Sequence, residues 1–107
     1  MKIGIVIGTN EPEVVWNAFR FGIRALAANH AVNVFLMNSG VELEEIRDPR
    51  FDVQEQVSQF TQKNGEILAC GTCLKGRHKE GTATCPLHTM DDLVKIVEES
   101  DKILTFG

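Results

Sequence analysis

Long apolar runs and a surplus of basic residues are both missing from this sequence. Its longest apolar runs reach only about six residues, whereas a membrane-spanning helix needs about 20. Lys and Arg number 11 against 15 Asp and Glu, so the formal net charge is −4 at pH 7. Nucleic-acid-binding surfaces are usually basic. We therefore predict neither a membrane span nor a nucleic-acid partner.

We also predict that the protein has no secretory leader, because Met1 and Lys2 lead straight into a predicted strand. This predicts a cytoplasmic protein, in a compartment where thiols stay reduced. The three cysteines, an odd number, are then expected to be reactive, metal-binding or inert rather than bridged. No repeat, linker or low-complexity stretch interrupts the 107 residues, which predicts a single domain over residues 1–107.

The sequence does contain short apolar segments that alternate with amphipathic ones. Apolar, β-branched segments predict strands over residues 2–7, 32–37, 66–70 and 101–106, and a brief edge strand over 82–85. Spacings of three and four residues predict helices over 12–28, 41–46, from 52 and from 89. Parallel strands need crossover connections, so the pattern predicts an α/β fold with a parallel sheet covered on both faces.

Side chains near the predicted helices indicate how they begin and which faces they bury. Helix-capping residues precede three of them, namely Thr9 or Asn10, then Asp52, then Thr89. The last helix is predicted to bury Met90, Leu93, Val94 and Val97. Trp16 lies off the apolar stripe of the first helix and is expected to face solvent or another subunit. A solvated helix face is the simplest interpretation of Glu42, Glu44 and Glu45.

Ligands of such sheets bind beyond the carboxyl ends of the strands. Three predicted loops lie at that edge, at residues 8–10, 38–40 and 70–73. The first lacks the glycine pattern of dinucleotide sites and the Lys-Ser/Thr ending of phosphate loops, so its main role is a tight turn. Because of its position, we keep this loop as a candidate substrate contact through Gly8, Thr9 and Asn10.

Cys70 ends the third apolar strand, and Gly71 allows the chain to turn at once. A helix beginning there would place its positive dipole end at the thiol, and Lys75 and Arg77 add positive charge. These features favour the thiolate, which is the nucleophilic form. We therefore predict an accessible, reactive thiol at Cys70, with Cys73 as a second thiol close by.

The cysteines permit other interpretations. Cys70 and Cys73 also match a redox pair, although the Trp and Pro of thioredoxin motifs are absent, and both could be buried core residues. Two close pairs of soft ligands form a pattern that tetrahedral zinc prefers, namely Cys70, Cys73, Cys85 and His88. A zinc- or iron-binding module is therefore an alternative. If strands three and four are neighbours, Cys85 is expected close to Cys70.

Six segments in a fixed order carry a resemblance to a known family. They are the opening apolar strand, Val-Trp-Asn-Ala-Phe-Arg-Phe, Val-Phe-Leu-Met-Asn-Ser-Gly-Val-Glu, the turn from Cys70 to Arg77, Thr-Met-Asp-Asp-Leu-Val, and Asp-Lys-Ile-Leu-Thr-Phe. In this order they resemble the DsrE/DsrF-like family of small sulfur-relay proteins. The resemblance implies a three-layer α/β/α sandwich around a mostly parallel five-stranded sheet, with neighbours in the order 4-3-2-1-5.

The resemblance also implies a function. In relay members, a cysteine at the end of the third strand carries a persulfide, and Cys70 occupies that position. Arg77 matches the Arg of a Cys-x6-Arg-Gly pattern, with His78 in place of the Gly. The expected function is a persulfide carrier of sulfurtransferase type, without a cofactor. The persulfide anion would be held by Gly71, Thr72 and either Lys75 or Arg77.

The partners implied by the resemblance are sulfur-donor and sulfur-acceptor proteins, together with further copies of the chain in a homotrimer or hexamer. Besides the metal-binding module, a non-catalytic assembly subunit with buried cysteines stays open as an alternative.

Overall fold

Five short strands form one sheet in which every neighbouring pair is parallel. The computed structural model describes all residues from 1 to 107. The strands are β1 (Lys2–Ile7), β2 (Ala31–Leu36), β3 (Glu66–Cys70), β4 (Leu87–His88) and β5 (Lys102–Phe106). Their order is β4-β3-β2-β1-β5, as the family resemblance implied. β3 therefore lies inside the sheet, and its carboxyl end is flanked by strands on both sides.

Helices connect the strands and cover the sheet. They are α1 (Pro12–Ala27), α2 (Val53–Gln62), α3 (Gly71–Gly76) and α4 (Met90–Glu99), and a 3₁₀ segment covers Asn38–Glu45. This 3₁₀ segment replaces the short acidic helix predicted over 41–46. None of the helices combines the length and the apolar character that crossing a membrane requires.

The two faces of β1 show why the fold has three layers. Successive side chains of a strand point to opposite faces. Ile5 is fully buried on the face that α1 and α2 cover, where Gly22 and Phe60 meet. A Cβ at the neighbouring Gly4 would instead contact Ile96 of α4. Helices therefore cover both faces, which confirms the predicted α/β fold.

Aromatic side chains fill the layer beneath α1 and α2. Phe19 and Phe60 are fully buried and meet edge to face, with 5.3 Å between ring centroids. The ring of Trp16 packs against Phe51 at 5.3 Å, and the guanidinium of Arg20 lies 4.3 Å from its centroid. Trp16 thus packs against its own chain and is only partly exposed, and its contact with another subunit stays a prediction.

The predicted fourth strand is displaced along the chain. Residues 82–85 form a turn, because the N–H of Thr82 donates to the Cys85 carbonyl at 3.0 Å and the Thr82 hydroxyl accepts from the Cys85 N–H at 3.0 Å. A Thr side chain that bonds the nearby backbone in this way favours turns over strands. Pairing begins only at Pro86, whose carbonyl accepts the Ala69 N–H at 2.9 Å.

Two predictions about the helices are also corrected. The α1 cap is Glu11, whose carboxylate accepts the Val14 N–H at 2.8 Å, and not Thr9 or Asn10. In α4 the only buried residue is Ile96, while Val94 and Val97 are about half exposed, at 54% and 52%. The sheet ends at β5, so only a narrow stripe of α4 lies against it. This buried stripe is narrower than the apolar spacing of the sequence suggests. The predicted caps Asp52 and Thr89 are confirmed.

Candidate functional site

Cys70 is the last residue of β3 and the first residue before α3. Its side chain is buried, with 2% of the residue exposed, because an interior strand end is flanked by structure on both sides. The Cys70 sulfur accepts no capping hydrogen bond from the first turn of α3. The predicted position at a strand end is therefore observed, but the thiol is not the open one that the sequence led us to expect.

A cleft of about 300 Å³ reaches Cys70 from the side of β4. Its lining includes three residues predicted to hold the sulfur, namely Gly71, Thr72 and Lys75. β4 approaches closely here, since a Cβ at Gly71 would lie 2.8 Å from Leu87 Cδ2 and 3.0 Å from the His88 carbonyl oxygen. Glycine at position 71 thus lets the wall of the cleft form next to the cysteine.

Cys73 lies one turn further along, on the same side of α3 as Cys70, because residues three apart on a helix are neighbours. Its sulfur accepts the backbone N–H of Asn38 at 3.2 Å. Burial raises the pKa of the Cys73 thiol, and its hydrogen bond with Cys70 raises it further. Asn38 adopts a φ of 53°, a left-handed conformation that Asn tolerates better than most residues. Asn38 was not among the predicted site residues, although its place beyond β2 was a usable signal.

Arg77 does not face Cys70 with a free charge. Its Nε donates to Glu42 Oε2 at 2.7 Å, and its terminal nitrogen donates to the Cys73 carbonyl at 3.3 Å. The hydrogen bond from Arg77 holds the pKa of the Glu42 carboxyl below its ordinary value, although burial acts in the other direction. Arg77 therefore ties α3 to the 3₁₀ segment and supports the backbone beneath Cys73.

Glu44 and Glu45 are exposed and Glu42 is partly buried, so the predicted solvated face is largely present, but all three glutamates also contact the chain after α3. Glu42 pairs with Arg77, Glu45 pairs with Lys79, and the Glu44 carboxylate accepts from the Thr82 hydroxyl. The side chains that these glutamates contact lie 34 to 38 residues further along the chain. Local spacing could not indicate such contacts.

Cys85 lies apart from the cleft, in the lining of a larger cavity of about 630 Å³ beside Glu44. Burial raises the pKa of its thiol to about 12, and the charge of Glu44 and a hydrogen bond to that carboxylate act in the same direction. The residue opposite Cys70 in the sheet is His88 and not Cys85. No group of three or more His, Cys, Asp or Glu side chains is placed to hold a metal ion. The four ligands of the predicted metal module are therefore not assembled.

The first loop contacts the glutamate network and not Cys70. The N–H of Gly8 donates to the Phe106 carbonyl at 2.9 Å, and the Thr9 hydroxyl accepts from the Glu11 N–H at 3.1 Å. The Asn10 amide lies 3.4 Å from Glu42 Oε1. Asn10 thus supports the Glu42–Arg77 pair, and none of the three residues lines the Cys70 cleft.

Comparison with known proteins agrees with this architecture. The model of the DsrE/DsrF-like family matches residues 1–106. An uncharacterised protein of Methanocaldococcus jannaschii is 30% identical over 99% of this chain and 100% of its own length. An uncharacterised protein of Methanopyrus kandleri is 33% identical over 88% of this chain and 83% of its own length. The chain therefore belongs to the DsrE/DsrF-like family, which supports, at a coarse level, a role of the sulfur-relay kind.

Proposed function

We propose that this protein accepts a sulfane sulfur on Cys70 and passes it on to an acceptor thiol. The observation that carries the proposal is the position of Cys70, at the carboxyl end of an interior parallel strand and in the lining of a cleft. Ligand sites of parallel sheets form at this edge. Family membership supplies the sulfur chemistry at a coarse level.

The reaction is an exchange between sulfur atoms. The Cys70 thiolate attacks the outer sulfur of a donor persulfide, a new S–S bond forms, and the donor leaves as a thiolate. An acceptor thiolate then attacks the outer sulfur of the Cys70 persulfide, and Cys70 leaves as a thiolate. The two steps are balanced without an added oxidant or reductant. Substrates reach Cys70 through the cleft, because the cysteine itself is almost fully covered.

The cleft offers partners for the persulfide anion. Gly71, Thr72 and Lys75 line it together with Cys70. A nearby cation and backbone N–H groups both favour an anionic sulfur. Lys75 is the cation to which we assign this role, since the charge of Arg77 is paired with Glu42.

Intact mass spectrometry after incubation with a sulfane-sulfur donor tests the proposal. We expect the wild-type protein to gain one sulfur atom, and Cys70→Ser to gain none while it keeps its fold. Cys85→Ser is the matched control, because Cys85 is equally buried but lines a different cavity. Sulfur uptake by Cys70→Ser at the wild-type level would contradict the proposal.

A non-catalytic assembly subunit is the second candidate, and the burial of Cys70 and Cys85 favours it. Native-state thiol labelling separates the two candidates. A carrier labels at Cys70 while it is folded, whereas an assembly subunit labels there only after unfolding.

A further inference from the structure

His88 is the side chain that the sheet places opposite Cys70. β3 and β4 are paired in a register that aligns Cys70 with His88. Residues aligned on neighbouring strands share one face of the sheet and lie about 5 Å apart. Both residues also line the same cleft of about 300 Å³. The imidazole is half-buried, with 35% of the side chain exposed. The proposed sulfur acceptor and a titratable base thus meet at one small site.

Asp92 holds this imidazole in place. Its Oδ2 lies 3.1 Å from His88 Nδ1 and also accepts the Thr89 N–H at 2.9 Å. The hydrogen bond from the Thr89 N–H, followed by that from His88, holds the pKa of the Asp92 carboxyl below its ordinary value. An ionised Asp92 favours the tautomer that carries its proton on Nδ1, which leaves Nε2 as the proton acceptor. Asp92 therefore orients the His88 imidazole and also takes part in capping α4.

We propose that His88 is the proton acceptor for Cys70 and that Asp92 is the residue that positions it. This inference rests on the proposed sulfur transfer and names the residue that accepts the proton of the Cys70 thiol. The Cys70 thiol gives its proton to His88 Nε2, and the resulting thiolate attacks the outer sulfur of the donor. The donor leaves as a thiolate and takes the proton back from the imidazolium. The sum converts a thiol and a donor persulfide into a Cys70 persulfide and a donor thiol.

The surroundings of the pair suit this role. The other charged groups that line the cleft are Lys75 from α3 and Asp91 from α4. A nucleophile beside a base, which is itself oriented by a third group, is the arrangement that activates thiols in many enzymes. His88 is the only His that lines this cleft, and His78 lines the larger cavity beside Cys85.

The test is the pH dependence of Cys70 alkylation by iodoacetamide in the native protein, followed by peptide mass mapping. We expect His88→Gln to slow alkylation at pH 7 about tenfold, with the difference narrowing as the pH rises, because hydroxide then replaces His88 as the proton acceptor. Asp92→Asn should cause a smaller loss in the same direction, because an Asn at this position can still accept the Thr89 N–H but carries no charge.

His78→Asn is the matched control, since it removes a histidine outside the cleft, where a φ of 54° suits Asn. It should keep the wild-type profile. The same profile in His88→Gln as in wild type, or no native alkylation of Cys70 in any variant, would overturn the inference. Sulfur loading measured in parallel separates the two proposals. If the wild-type protein and His88→Gln load sulfur at the same rate, the proposed carrier function stands and only the proposed role of His88 is contradicted.

Discussion

Cys73 is the thiol closest to the proposed sulfur acceptor. We expect it to influence the lifetime of the persulfide on Cys70. The Cys73 sulfur accepts the Asn38 N–H, and the neighbouring Cys70 helps to raise the pKa of the Cys73 thiol. A thiolate at Cys73 can attack the inner sulfur of a Cys70 persulfide, which forms a Cys70–Cys73 disulfide and releases hydrosulfide. The outer sulfur leaves with the electron pair, so the step needs no external oxidant.

We predict that Cys73→Ser prolongs the life of the Cys70 persulfide. Because the pKa of the Cys73 thiol is raised, its thiolate is scarce at neutral pH and grows as pH rises. Loss of the adduct in the wild-type protein should therefore accelerate with pH, while Cys73→Ser should lose most of that acceleration. Mass spectra taken over time at several pH values measure both. Equal decay in the two proteins would remove Cys73 from the reaction.

Cys85 is the buried thiol with the most strongly altered acidity, and this has a consequence for stability. Its pKa in the folded protein is raised from an ordinary value of 9.0 to about 12. Ionisation is thus easier in the unfolded chain, so the stabilising contribution is complete below pH 9 and is lost as pH rises towards 12.

We predict that the free energy of unfolding of the wild-type protein falls above pH 9 more steeply than that of Cys85→Ser. A serine hydroxyl does not titrate in this range, so the variant lacks this source of pH dependence. Urea denaturation at a series of pH values measures the two slopes. Parallel curves would show that Cys85 ionises equally easily in the folded and the unfolded chain.

At the scale of elements, the 3₁₀ segment Asn38–Glu45 packs against α3 and stabilises the site through two hydrogen bonds. It supplies the Asn38 N–H to Cys73 and the Glu42 carboxylate to Arg77. Gly40 lets it pass close to the end of β1, since a Cβ at that position would lie 2.4 Å from the Ile7 carbonyl oxygen. The atoms that this Cβ would meet are backbone atoms of Ile7 and Thr9, which leave little room for adjustment.

We predict that Gly40→Ala lowers the free energy of unfolding by about 1–3 kcal/mol, the range for overpacking a filled site. Gly76→Ala is the control, because a Cβ there meets nothing within 4 Å. Within α3 it should leave stability unchanged or raise it by up to about 1 kcal/mol. Chemical denaturation of the two variants provides the comparison, and equal stability of both would contradict the predicted clash.

At the scale of the whole molecule, one face of α4 and the adjoining sheet edge remain apolar and exposed. Met90, Val94 and Val97 lie on α4, and Ile103 on β5 is 36% exposed. β5 is also an edge strand, with unpaired backbone groups on its outer side. Exposed apolar patches next to an open sheet edge are typical of surfaces that associate. A second copy of the chain is the partner that we expect there.

We predict a homo-oligomer, a trimer or a dimer of trimers, that is weakened by Val97→Lys. Glu98→Lys is the control, because it introduces the same side chain at the next, polar position of α4. Sedimentation at micromolar concentration should show a species well above 11.9 kDa for the wild type and the control, and a smaller one for Val97→Lys. A wild-type protein that sediments only as a monomer would contradict this prediction.

The sequence by itself determined the elements whose signals are local. β1 and β3 were predicted with the bounds that the structure shows, because short, nearly continuous apolar runs indicate strands buried on both faces. Asp52 and Thr89 were recognised as caps from the residues next to them. The position of Cys70 at the end of a strand followed in the same way, and with it the edge of the sheet at which the site lies.

Only the tertiary structure decided what surrounds that cysteine. The burial of Cys70, the Asn38 N–H on Cys73 and the alignment of His88 with Cys70 join segments that are far apart in the sequence. The contacts of Glu42, Glu44 and Glu45 are of the same kind. Periodicity describes one element at a time, whereas these contacts depend on strand order and register. Those two features exist only once the sheet has formed, since only then are distant segments placed side by side.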